Sequence, residues 1–143
     1  MSLAFASEEP YDASIITTLD IVEAESKFLI PIVGERLYDA MAAGKYANLV
    51  EEYAKPMVAA WVRYLIEPLI ATRLCHIHGD GNITEAENDH SQRAQQALHT
   101  KAITLTRRLS THLNSNCNVY AEYNPNLNPL NRCFIYGNLI QVR

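Results

Sequence analysis

Apolar positions recur at helical spacing in four stretches of this chain, and the strongest is 53–76, YAKPMVAAWVRYLIEPLIATRLCH. There Met57, Trp61, Tyr64 and Leu65 follow one another at three and four, while Val58, Val62 and Leu69 fill the adjacent row, which is the spacing of a helix with almost no polar face. Such a helix has to be covered on several sides, so the other elements are expected to pack around it. Pro56 either occupies the first turn of a fresh helix or bends a continuous one. Pro68 lies inside the run, where it removes a backbone donor and predicts a kink.

Before this stretch, Thr18 or Asp20 opens a first helix, with Glu23 three residues after Asp20 in the capping-box relation. Ile21, Ala24, Phe28 and Ile32 share one of its faces. Pro31 predicts a kink or a stop at Ile30, ahead of Gly34. A short second helix, about 35–43, turns Leu37, Tyr38 and Met41 inward and ends at Gly44, a residue suited to a left-handed cap. Asn48 with Glu51 repeats the capping pattern at the entry to the central helix. The fourth helix runs from Glu85 or Asp89 to Asn114 along one apolar stripe of Ala94, Leu98, Ala102, Leu105, Leu109 and Leu113. Its other faces carry Gln95, Gln96, His99, Lys101, Arg107 and Arg108.

At Asn114 the pattern gives way to NSNCNVYAEYNPNLNPLNR, rich in Asn and broken by Pro125 and Pro129, which predicts an extended connector. Two apolar runs around Gly137 and Asn138 then read as a small hairpin, which needs the helices or another chain to lie against. The fold class expected is all-α: a compact bundle of four to five helices with a kinked central helix, plus a small C-terminal β-hairpin. By this reading 1–16 is an acidic N-terminal arm ordered by what it touches, 17–114 is the helical domain, and 115–143 is an Asn/Pro-rich tail packed on the same domain.

Composition narrows the classes. The chain has 143 residues, enough for one domain with a real core, and 48% hydrophobic against 20% charged residues is a globular balance. A net charge of -4 gives no clustered cation excess for gripping nucleic acid. Three cysteines, Cys75, Cys117 and Cys133, form no CxxC pair and fit free thiols in a reducing compartment. Residues 1–10 lack the basic segment and apolar core of a signal peptide, so synthesis in the cytoplasm is expected. Arg63, Glu67 and Arg73 interrupt the apolar run, which excludes a membrane span of roughly 20 predominantly apolar residues.

Candidate chemistry is sparse. The loop from Asp80 to Thr84 followed by Glu87 resembles half of an EF-hand, but its first and third ligand positions fall on His76 and His78, where calcium requires oxygen. Cys75, His76 and His78, with Asp80 or His90, are borderline ligands whose spacing matches no standard zinc site. The sequence contains no GxSxG, Walker loop, dinucleotide fingerprint or HExxH. The chain is therefore expected to be no enzyme, with no catalytic residues, no cofactor and no metal site.

Three segments carry a family resemblance: AESKFLIPIVGERLYDAMAAGKY (24–46), LVEEYAKPMVAAWVRYLIEPLI (49–70) and YNPNLNPLNRCFIYG (123–137). Together they resemble the head-tail connector, or adaptor, proteins of tailed phages, of the type found in prophages of gut anaerobes, over about 19–137. The resemblance implies a helical bundle that assembles with itself as a ring of about a dozen subunits. That ring would sit between the portal protein and the tail-completion proteins of a virion, with DNA passing through without sequence-specific binding. An acidic chain suits such a passage, because clustered positive charge would make DNA stick.

Cyclic rings use heterologous contacts, in which one face complements a different face of the next copy. Opposite charge nominates Glu25, Glu35 and Asp39, with Glu23, against Arg93, Lys101, Arg107 and Arg108. The competing readings are a small regulatory or metal-binding protein using 75–90, and a helical interaction module of the host.

Overall fold

The computed structural model describes the backbone of residues 16–77, 85–136 and 139–142 and the side chains of 16–70 and 91–132. Among the described residues the chain forms four helical rods. The first joins α1 (Thr18–Ala24), a π-turn (Glu25–Leu29) and α2 (Ile30–Val33), and the second is α3 (Glu35–Ala42). The third joins α4 (Ala47–Leu49), a π-turn (Val50–Ala54) and α5 (Lys55–Ile77), and the fourth is α6 (Glu85–Ser115). A 3-10 turn at Pro129–Asn131 follows, and β1 (Cys133–Tyr136) pairs antiparallel with β2 (Leu139–Val142), Cys133 opposite Val142. The folded body is all-α.

The first rod begins at Thr18, one of the two positions the sequence offers, but its capping box pairs Thr17 with Asp20 and not Asp20 with Glu23. Thr17 is the N-cap, its hydroxyl accepting from the Asp20 amide while the Asp20 carboxylate accepts from the Thr17 amide at 2.8 Å. Glu23 instead bonds Lys27 along the helix surface. Pro31 neither stops nor interrupts the rod, which continues to Val33 and ends at Gly34. Just ahead of it the Ile30 amide donates to the Glu25 carbonyl, an i to i−5 bond that widens the turn. In a regular helix the proline ring would meet the carbonyl four residues back; a wider turn moves that carbonyl aside.

The same device recurs at Pro56, where the Lys55 amide donates to the Val50 carbonyl. Pro56 thus lies in a continuous rod, the second of its two alternatives. The two π-turns have matching layouts. Each ends two residues before a proline, and the fourth residue of each is an aromatic, Phe28 or Tyr53. Asn48 does not cap: the rod begins at Tyr46, whose backbone is left-handed with φ 57°. That conformation is unfavourable for a bulky residue, and contacts of its side chain with Glu122 and Tyr120 hold it in place.

Helix α5 is the centre of the packing and contacts α1, the first π-turn and most extensively α6. Met57, Val58, Trp61, Val62, Ile66 and Ile70 are buried, whereas Leu69 is 57% exposed. Cover is therefore incomplete around Pro68, through which the helix nonetheless continues. Arg63 is buried too, tied to Glu67 one turn on, so the charge that interrupts the apolar pattern is neutralised within its own helix. Trp61 joins three elements. Its ring stacks on Phe28 at 3.7 Å between centroids and 2° between planes, and its indole N–H donates to Thr106 Oγ1 of α6 at 2.9 Å. On α6 the expected stripe is buried at Ala102, Leu109 and Leu113, with Thr106 and Ser110 beside it.

Two glycines set the turns. Gly34 has φ 79° and ψ 154°, a region essentially closed to side-chain residues. Gly44 has φ 87° and closes α3 with its own amide on the Met41 carbonyl and the Lys45 amide on the Ala40 carbonyl, the paired bonds of a Schellman cap. Neither would meet another atom through an added Cβ, so substitution tests the backbone alone. Gly34→Ala is expected to lose about 2 kcal/mol and Gly44→Ala about 1 kcal/mol. Gly44→Asn should lose less than Gly44→Ala, because Asn tolerates the left-handed region. Urea denaturation of the three variants checks the order.

Candidate functional site

The residues nominated for subunit contact lie in the first rod, on α3 and on α6. Glu35 and Asp39 are exposed one turn apart on α3. Arg93, Lys101, Arg107 and Arg108 are exposed along α6. Glu25 differs from the rest. It sits in the first π-turn, half buried, and accepts a 2.9 Å hydrogen bond from Tyr38 Oη across to α3. That bond, then burial, raises the Tyr38 pKa above its ordinary value. Arg108 is also anchored, its guanidinium carbon 5.0 Å from the centroid of the Tyr53 ring, within cation–π range.

Between α1, α3 and α5 the surface opens into a pocket of about 390 Å³. Its walls are apolar, from Ile21, Leu29, Met41, Val58, Ala59 and Val62, and its polar atoms come from Glu25, Tyr38 and Lys55. Lys55 is paired with Glu51. A volume of this size falls in the range of binding clefts, roughly 300–1,000 Å³. It sits within the acidic half of the chain: 18–55 carries seven carboxylates against four cations, whereas 91–132 carries five cations against one carboxylate.

The largest departure from expectation is 116–132. Instead of an extended connector it is a folded cap held by asparagine side chains. Asn128 is fully buried and donates to Ser110 Oγ at 2.8 Å and to Tyr123 Oη at 2.9 Å, while its own oxygen accepts from the Leu130 amide. Tyr123 Oη donates in turn to Asn114 Oδ1 at 2.7 Å, and Asn114 and Asn131 exchange hydrogen bonds in both directions. An amide side chain carries donors and an acceptor at once, so it can replace the backbone ladder that a proline-broken segment cannot form.

Beside this network, Tyr120 Oη and His112 Nε2 share a hydrogen bond of 2.9 Å, and the imidazole stacks on Tyr53 at 4.1 Å. Burial raises the Tyr120 pKa. Glu122 receives the Tyr46 hydroxyl at 2.7 Å and Lys45 Nζ at 3.1 Å, and the Tyr46 ring meets Tyr120 edge-on at 5.0 Å. The Tyr46 bond, then the Lys45 bond, keeps the Glu122 carboxyl below its ordinary value. The only sequence signals for this cap are the Asn-Pro steps, which mark turns, and the hydroxyls of Thr106 and Ser110 set inside an apolar stripe.

The side chains of Cys75, His76, His78, Asp80 and His90 lie outside the described residues, as do the loop 78–84 and the arm 1–15. Among the described residues no group of three or more His, Cys, Asp or Glu is placed to hold a metal ion. No described helix is long and apolar enough to cross a membrane. No family model, curated protein or solved structure matches the chain.

Asn128→Ala removes three hydrogen bonds at a buried site in the cap and is expected to lose about 3 kcal/mol by chemical denaturation; Asn126→Ala, exposed on the same segment, should stay within about 0.5 kcal/mol of the parent. Because the Glu122 pKa is lowered by folding, its contribution is present above the unfolded carboxyl pKa and is lost as pH falls through the folded value. Glu122→Gln should therefore be less stable than the parent near neutral pH, and the difference should close in acid. Thermal melts of both proteins across that range measure it.

Proposed function

We propose that this chain is a structural assembly protein, a connector that forms a ring with copies of itself between a capsid portal and a tail, and through which DNA passes. The observation that carries the reading is the division of charge: carboxylates gather on 18–55 and cations on 91–132, exposed on different elements. Such an arrangement suits head-to-tail contact between copies, in which the acidic region of one copy meets the cationic region of the next. The resemblance of 24–46, 49–70 and 123–137 to tailed-phage connectors supplies the place of the ring in a virion. Partners by this reading are the chain itself, the portal protein and the tail-completion proteins. DNA would move through without sequence-specific contact.

The finer architecture belongs to the same reading: a central helix bent at Pro68, and a 115–143 tail whose hairpin lies against the helical domain. A catalytic role has no part in it.

Reversing two cations on α6 tests the contact. Arg107→Glu with Arg108→Glu is expected to weaken self-assembly about tenfold at low ionic strength, or about 1.4 kcal/mol, and less in high salt. A sizing column run at several protein concentrations reads the ring population. A population unchanged by the double reversal overturns the charge contact. A coding sequence that does not lie beside portal, capsid and tail genes would overturn the virion assignment.

A further inference from the structure

We propose that the pocket between α1, α3 and α5 is a binding site for a small apolar primary amine, its ammonium held by Glu25 and Tyr38. The proposal goes beyond the ring reading and does not depend on it. Glu25 and Tyr38 are half-buried polar groups among aliphatic walls that include Leu29, Val58 and Val62. Tyr38 Oη donates its one hydrogen to Glu25 Oε2 at 2.9 Å. Among the described residues the carboxylate has no other hydrogen-bond partner and forms no ion pair. Its Oε1 therefore keeps its lone pairs free, and the phenol oxygen, with its hydrogen committed, has only lone pairs to offer.

Those acceptors select the head group. An ammonium brings three donors and a positive charge, so it can bond both oxygens at once. A carboxylate or phosphate would set lone pairs against lone pairs. Lys55, the one cation among the described residues that line the pocket, does not reverse the choice. Its side chain is 52% exposed and its ammonium is engaged by Glu51, a surface pair whose charges largely cancel and are screened by water. The charge left facing the pocket is that of Glu25. The walls select the rest of the ligand. Ala54 and Ala59 contribute small side chains from the second π-turn and α5, and about 390 Å³ stays open between them and α3. A polar body placed there would lose its hydrogen bonds to water and find few replacements, whereas an apolar one gains from burial.

Three probes of equal chain length separate the head group from the apolar body: hexylammonium chloride, sodium hexanoate and hexanol. Each is titrated near neutral pH into the 15N-labelled chain, and amide shifts are followed by NMR. Hexylammonium is expected to give saturable shifts at Glu25, Tyr38 and Val58, with an affinity about tenfold or more above those of hexanol and hexanoate. Glu25→Gln keeps the size of the side chain and removes its charge. In that variant the affinity for hexylammonium should fall about tenfold, to that of hexanol, while hexanol itself binds as it does to the parent. Ala59→Trp, which fills the pocket, should abolish the shifts from all three.

Hexanoate or hexanol binding as tightly as hexylammonium overturns the proposal, and so does a preference for the amine that survives Glu25→Gln. Shifts that persist in a folded Ala59→Trp place the probe elsewhere and overturn it too. The ranking of the three probes on the parent needs no variant, so a substitution that disturbs folding does not remove the test. An absence of saturable shifts with any probe, the outcome if another part of the chain occupies the pocket, also overturns the site. None of these results bears on the ring reading, since Glu35, Asp39 and the α6 cations have no part in the site.

Discussion

The indole of Trp61 is the constraint on which the rest of the bundle depends. Its face meets Phe28 of the first rod, and its N–H bonds Thr106 of α6, so three elements are fixed relative to one another by one side chain. The hydroxyl it uses is itself bonded to the Ala102 carbonyl at 2.8 Å, which orients its lone pairs toward the indole. Aliphatic contacts alone would allow α6 to slide or rotate against α5, because the hydrophobic effect is nearly non-directional. One directional bond among them sets the register, and the ends of α6 follow: exposed cations at Arg107 and Arg108, and the bonds to the cap from Ser110, His112 and Asn114.

The π-turns do related work at the backbone level. Each is an extra residue accommodated within a rod just upstream of a proline, and each turns an aromatic onto a ring elsewhere, Phe28 onto Trp61 and Tyr53 onto His112. The prolines therefore mark places where the side-chain pattern shifts phase while the rod continues. This phase shift also sends Glu25 inward to Tyr38, into the wall of the pocket, while Glu35 and Asp39 on α3 stay at the surface.

Much of the helical body was legible in the sequence because its signals were local. Glycine at 34 and 44 ended elements, Asp20 took part in a cap, and three-and-four spacing located the buried faces of α5 and α6. The misreadings came from residues whose effect depends on partners distant in the chain. Pro31 reads as a kink or a stop, of which the stop fails because a wider turn precedes it, and Asn48 reads as a cap unless Tyr46 is known to be held left-handed by Glu122 and Tyr120. The segment 116–132 reads as a connector because its stabilising groups are amides, which carry no hydrophobic period. Of the proposed sites, charge type was visible along the chain. The pocket was not, since its walls come from three helices that only folding brings together.

Asn128 holds the cap by its amide, and an amide can age. Deamidation begins when the backbone nitrogen of the following residue attacks the side-chain carbonyl, and it leaves a carboxylate in place of the donor. Here the following residue is Pro129, which has no N–H to give up. Asn124 stands before Pro125 in the same way, and Asn128 is in addition fully enclosed. The prolines that bar this segment from regular secondary structure thus also shield its key amide from slow chemical decay.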